Sequence, residues 1–89
     1  MDVIFDPAKD AANQAKHGLS LTHAADLDFA SALIVVDDRF DYGEERLFAV
    51  GYLGERLVAL AFVELEPDLV RPISLRYATP AERRRYENA

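Results

Sequence analysis

Leu47–Leu65, LFAVGYLGERLVALAFVEL, holds two apolar runs joined by Gly54-Glu55. Each run is too short for an apolar helix and is bounded by turn residues, so the pair predicts two strands, Leu47–Leu53 and Leu57–Leu65, in a β-hairpin. Gly54 stands at the first turn position, where a two-residue hairpin loop needs φ > 0. Leu57–Val63 is apolar on consecutive residues rather than alternate ones. Such a run belongs to a central strand covered on both faces. Working outward, Glu66-Pro67-Asp68 is a turn and Val70–Tyr77 a further strand. Ile73, Leu75 and Tyr77 fall on one face of it, and Ser74 and Arg76 on the other. Pro72 within it cannot donate to a ladder, which predicts an edge position or a bulge. Upstream, the β-branched run Leu33–Val36 predicts a strand, followed by the polar turn region Asp37–Gly43.

The flanks predict helices. Val3-Ile4-Phe5 is a short strand, after which Asp6 caps a helix with Pro7 at its first position. Ala8–His17 contains good helix formers and stops at Gly18. Ser20 or Thr22 caps a second helix running to about Ala30, although Leu21, Ala24, Ala25, Leu27 and Phe29 fit a helical stripe only loosely. Thr79-Pro80-Ala81-Glu82 combines a Thr cap, Pro at N1 and Glu at N3, a complete capping box that launches a C-terminal helix to about Asn88. The order is β-α-α-β-β-β-β-α. It predicts one α+β domain over residues 1–89, with a mostly antiparallel sheet, two N-terminal helices and one C-terminal helix.

The chain of 89 residues carries a net charge of −6 and no cysteine. Disulfides, zinc-thiolate sites and thiol nucleophiles are therefore excluded. No basic, apolar leader is visible at the N-terminus, and Leu57–Val63 is too short to span a bilayer, so a cytoplasmic protein without membrane contact is expected. The acidic balance argues against a general nucleic-acid coat protein. Five of the ten basic residues nevertheless lie in Arg71–Arg85, against the single acid Glu82. Such a concentration points to an anionic ligand, a phosphodiester first, or to an acidic partner.

An ordered set of residues spans nearly the whole chain. It comprises Phe5-Asp6-Pro7, Lys9, Asn13, Lys16-His17-Gly18, Ser20, Asp41, Glu44-Glu45-Arg46, Gly51, and the tail Ile73-Ser74, Arg76, Ala78-Thr79, Glu82 and Tyr86. It resembles the BrnT family of toxins from type II toxin–antitoxin modules. The chain departs from the family pattern at Pro72, Tyr77 and His23. The resemblance implies a RelE-like fold and a compact ribonuclease that stops growth by cutting RNA. It also implies neutralisation by a BrnA-type ribbon-helix-helix antitoxin, a toxin–antitoxin heterotetramer, and contact with operator DNA only through the antitoxin. No cofactor is expected.

Metal-independent RNA cleavage requires a base for the 2′-OH, positive donors for the phosphorane and an acid for the 5′-oxygen. Arg76, on a strand, is the first candidate for the phosphorane, since its planar fork grips phosphate oxygens. Its competing role is a surface ion pair. Imidazole is the side chain best suited to general acid or base work, which makes His17 a candidate, and Lys16 beside it adds a cation. Both also suit the C-terminus of a helix. Glu45 is a candidate base or orienter of Arg76, while Glu44 better fits a local ion pair. Glu82 has its capping role. Tyr86, one turn later, can stack on a base or donate to phosphate, or pack the helix on the sheet. Arg71, Arg46, Arg83 and Arg84 are candidate RNA contacts. Asp37, Asp38 and Asp41 lack the glycine and terminal glutamate of a calcium loop and suit a solvated turn, so no metal site is assigned. The rival to the nuclease is a non-catalytic interaction module, or a co-repressor, whose arginine-rich tail docks an acidic antitoxin segment.

Overall fold

The structure, a computed structural model, describes residues 1–89. Its elements in chain order are β1 (Asp2–Val3), α1 (Pro7–His17), a 3₁₀ helix (Leu21–Asp26), β2 (Leu33–Asp37), β3 (Arg46–Leu53), β4 (Arg56–Glu66), β5 (Leu69–Tyr77) and α2 (Pro80–Glu87). The strands form a single sheet in the order β1-β5-β4-β3-β2. Strands β2 to β5 run as an antiparallel meander, and β1 returns parallel to β5. Gly54 turns the β3–β4 hairpin at φ 60° while Glu55 keeps negative φ, the pattern of a II′ turn.

Pairing fixes the faces. Leu47↔Phe62, Ala49↔Leu60 and Leu60↔Leu75 lie on one side of the sheet. Leu19, Leu21, Ala24 and Leu27 pack against that side and complete the core with Val58 and Val70. Strand β4 is central and buried on both faces from Leu57 to Leu60, as its unbroken apolar run predicts.

The predicted second helix is a correction. Only Leu21–Asp26 is helical, and it is 3₁₀. Its buried residues Leu21 and Ala24, and Leu27 just beyond, stand three apart. That spacing makes a straight ridge at three residues per turn but drifts around an α-helix. The Asp10 carboxylate also accepts the Leu21 N–H at 2.7 Å and the Ser20 hydroxyl at 2.9 Å, which anchors the start of the turn. Beyond Leu27 the Ser31 hydroxyl donates to Asp28, and the chain turns towards β2.

Helix α1 is capped by Asp6, which accepts from Ala8 N at 2.7 Å, and closes at Gly18 with φ 74°. It has almost no apolar stripe, and its one buried residue is Asn13. The Asn13 amide donates to Leu75 O at 2.9 Å and to Leu19 O at 2.7 Å, and accepts from Leu75 N at 3.1 Å. Strand β1 covers the edge of β5 only at Leu69 and Val70. Further along, Asn13 supplies both hydrogen bonds that a neighbouring strand would have made to Leu75.

Pro72 marks a bulge, one of the two roles its sequence position predicts. Phe62 faces Pro72 and Ala61 faces Ser74, which leaves Ile73 as the extra residue. The bulge changes the phase of the strand. Arg71 pairs with Val63 and Arg76 with Ala59, two β4 positions on the same face. Under strict alternation, residues five apart would point to opposite sides.

Candidate functional site

The sheet face turned away from the core carries Arg46, Phe48, Arg71 and Arg76 and is partly roofed by α2. Between α2, β3 and the segment after β2 lies an open cleft of about 420 Å³. Val35 and Phe48 form its floor, Arg76 and Glu82 one wall, and Asp37, Asp38 and Arg39 the other, with Arg85 at the rim. The volume falls at the small end of the range for ligand sites, enough for a nucleotide-sized group.

Arg76 is held in a defined pose. Its Nη1 donates to Glu82 Oε1 at 2.7 Å and its Nη2 to Oε2 at 2.9 Å, and Nη1 also reaches Tyr77 O at 3.3 Å. Glu82 is fixed in turn by the capping box. It accepts from Thr79 N at 2.8 Å while its own N–H donates to Thr79 Oγ1 at 3.2 Å. The helix cap and the arginine clamp are thus one network. The hydrogen bonds from Arg76 hold the Glu82 carboxyl down at about 2, and Glu82 in turn raises Arg76 above its ordinary value. Both stay charged at neutral pH. Glu82 occupies the end of the guanidinium. The Nε–H and the second Nη2–H have no acceptor in the chain, and they form a parallel fork along the side edge, the geometry that receives two phosphate oxygens. The guanidinium carbon lies 6.0 Å from the centre of the Phe48 ring.

Across the cleft Arg39 binds Asp37 through Nε at 2.9 Å and Nη2 at 3.0 Å, and the Tyr42 hydroxyl adds a bond to Asp37 at 3.2 Å. With Arg39 as the main cause, the Asp37 carboxyl lies at about 2. The cleft therefore balances Arg39, Arg76 and Arg85 against Asp37, Asp38 and Glu82.

A second cluster stands further along the same face. The Glu44 carboxylate accepts from Arg71 Nη2 at 2.7 and 2.6 Å and lies 3.6 Å from Arg46 Nε. The Arg46 guanidinium stacks 4.1 Å over the Tyr42 ring. Arg71 is the main reason why the Glu44 carboxyl sits below its ordinary value.

The candidates from sequence thus separate. Arg76 is in the first cleft, and Arg46 and Arg71 are in the second cluster. Lys16 and His17 end α1 and line neither cleft. Glu45 is exposed, with no side-chain hydrogen bond or ion pair to the fold. Tyr86 packs edge-on against Tyr52 with ring centres 5.6 Å apart, so it docks α2 on the sheet. Arg83 and Arg84 project into solvent, while Arg85 is the α2 arginine at the cleft. Sequence reasoning passed over Arg85, Arg39 and the second role of Glu82. Arg85 was legible, because it stands three residues after Glu82 on the same helical face. Arg39 carried no local signal.

The family model described as "Ribonuclease toxin, BrnT, of type II toxin-antitoxin system" matches residues 5–82. The match includes Arg76 and Glu82 and ends before Arg85 and Tyr86. Among solved structures, the chain is similar to the 1.1 Å crystal structure of the Brucella abortus ribonuclease toxin BrnT. The two share 32% identity over 89% of this chain and 97% of that chain, with a TM-score of 0.65. A comparison with curated proteins returned no match. Fold and family match together define a ribonuclease toxin of a type II toxin–antitoxin system. The chain belongs to the BrnT family.

Proposed function

We propose that this chain is a metal-independent endoribonuclease whose reaction centre is the Arg76 cleft. It acts in the cytoplasm and is silenced by a BrnA-type ribbon-helix-helix antitoxin, which alone contacts operator DNA. The observation that carries the reading is the free side-edge fork of Arg76, held rigid by Glu82 at 2.7 and 2.9 Å. In the reaction the 2′-oxygen attacks phosphorus as its proton leaves, and the 5′-oxygen departs as it gains a proton. The products are a 2′,3′-cyclic phosphate and a 5′-hydroxyl. Negative charge grows on the non-bridging oxygens of the phosphorane, where a preorganised guanidinium binds the transition state more tightly than the ground state. Arg85 at the rim adds positive charge. Glu82 and Asp37, held at about 2, are weak bases that serve as orienters of arginine. Asp38 is the cleft's one carboxylate free of an arginine, and it is assigned the proton from the 2′-OH.

The rival, a non-catalytic module that binds an antitoxin, has in its favour the charge balance of the cleft and the unpaired Arg83 and Arg84 on α2. One experiment separates the two. The chain is induced alone in a bacterial host, beside Arg76→Ala, and growth is followed with the integrity of total RNA. The nuclease reading expects arrest with RNA cleavage, both lost in the variant. Harmless expression of a folded wild-type chain with intact RNA would leave the interaction module.

A further inference from the structure

Lys9, Arg46 and Arg71 converge on a second cleft of about 300 Å³, whose apolar wall is Phe5, Pro72 and Ile73. The elements that build it are far apart in sequence. Phe5 precedes α1 and Lys9 lies in its first turn, Arg46 opens β3, and Arg71 reaches this face because of the bulge at Ile73. We infer that this cleft is a second phosphate-binding subsite, which holds the RNA backbone a few nucleotides from the bond cut beside Arg76. The inference rests on the nuclease reading of the Arg76 cleft.

Three observations support it. The first is charge. Two carboxylates face the three cations, and both are engaged. Asp6 caps α1, and Glu44 bridges Arg71 and Arg46. The cleft is positive by one in a chain of net charge −6, whereas the Arg76 cleft is balanced. The second is unused donor capacity. Arg46 Nε is buried with no hydrogen-bond partner, since Glu44 at 3.6 Å is too distant. That atom has no exposed surface and stands beside its ionic partner Glu44, so the donors a ligand can reach are those of Arg71 and Lys9. Arg71 spends only Nη2 on Glu44, which leaves Nη1 and Nε free, and Lys9 is exposed with no side-chain partner in the chain. The third is placement. Arg71 and Arg76 share a sheet face and are separated by five residues of one strand, on the order of 15 Å at the usual rise per residue. A single strand lying along that face meets both clefts. Phe5 and the apolar wall then lie where a base flanking the second phosphate stacks.

Lys9→Gln tests the idea without disturbing the fold, because no hydrogen bond ties this side chain to the chain. Cleavage of mixed-sequence RNA of about ten nucleotides is compared with cleavage of dinucleotides, which engage only one cleft. For the longer RNA, KM is expected to rise about fivefold with kcat unchanged. The slope of log binding against log salt should become shallower by about 0.7, one lost phosphate contact on a single strand. Dinucleotide cleavage should stay as in the wild type, and Lys9→Arg should restore the longer substrate. Unchanged KM on both substrates would overturn the subsite. A fall of kcat on both would overturn it as well and make this cleft the reaction centre. Weakened antitoxin capture with RNA kinetics unaltered would reassign the cleft to the partner. If the wild-type protein cleaves neither substrate, the parent nuclease reading fails and takes the subsite with it.

Discussion

At the scale of the residue, two side chains each do the work of a larger element. Glu82 closes a helix cap through Oε1 and orients an arginine through Oε1 and Oε2. Arg76 spends its end edge on Glu82, and on the nuclease proposal its side edge takes the substrate, a division only a guanidinium allows. Arg76→Ala should therefore lower kcat by roughly a hundredfold or more, and Arg76→Lys should fail to restore it. Single-turnover cleavage of a short RNA measures both. Asn13 stands in for a strand. Asn13→Ala leaves Leu75 N–H, Leu75 C=O and Leu19 C=O without partners in a buried place. The expected loss is about 2–4 kcal/mol, read from urea unfolding. A loss near that of an exposed Asn would show that α1 is held by other contacts.

At the scale of the element, the bulge in β5 organises the basic face. One inserted residue, Ile73, allows Val70 and Leu75 to be buried in one core while Arg71 and Arg76 both point away from it. Deleting Ile73 would leave Arg71 and Arg76 four apart, so plain alternation would keep both pointing away from the core and Val70 and Leu75 within it. The deleted protein is expected to keep a cooperative thermal transition by circular dichroism. Loss of that transition would mean that the bulge itself, and not only the phase of the strand, holds the sheet together. The segment after α1 teaches a related lesson. The residues of Leu21–Leu27 have adequate helix propensity, but the buried ones recur every third position and the element tightens to 3₁₀.

At the scale of the whole molecule, the acid response follows from the two carboxyls at about 2. Glu82 and Asp37 are depressed in the folded protein from ordinary values of 4.5 and 3.8, respectively. A group depressed on folding contributes stability that is complete above its unfolded value and is lost as pH falls through its folded value. Melting temperature should thus hold from neutrality to about pH 4.5 and decline towards about pH 2. Glu82→Gln should lower the neutral plateau and flatten part of that decline. A curve whose acid limb is the same in the variant would remove Glu82 from the linkage. The same charges set the long-range field. The chain is acidic as a whole, so on the nuclease proposal RNA is captured by local clefts, and affinity should fall with salt by only the few phosphates those clefts touch.

Strands β2 to β5, the two-residue hairpin at Gly54-Glu55, the capping box of α2 and the central position of β4 were legible in the sequence, because each depends on residues close together in the chain, whereas the first strand was expected at Val3–Phe5 and lies at Asp2–Val3. Periodicity of burial, a glycine at a turn and a Thr-x-x-Glu cap are local physics. The candidate arginines were legible as a concentration of charge, and the family was legible as an ordered set of residues. What only the tertiary structure decided was which charges meet. The phase change at Ile73 depends on how Phe62 and Ala61 pair across β4–β5, and it carries Arg71 to the face of Arg76. Arg39 enters the cleft through the segment after β2, Lys9 joins Arg46 and Arg71 from the far end of the chain, and Lys16 and His17 stay outside. These are contacts between residues tens of positions apart. Their geometry is set by strand register and by Asn13 gripping Leu75, neither of which leaves a periodic trace in the sequence.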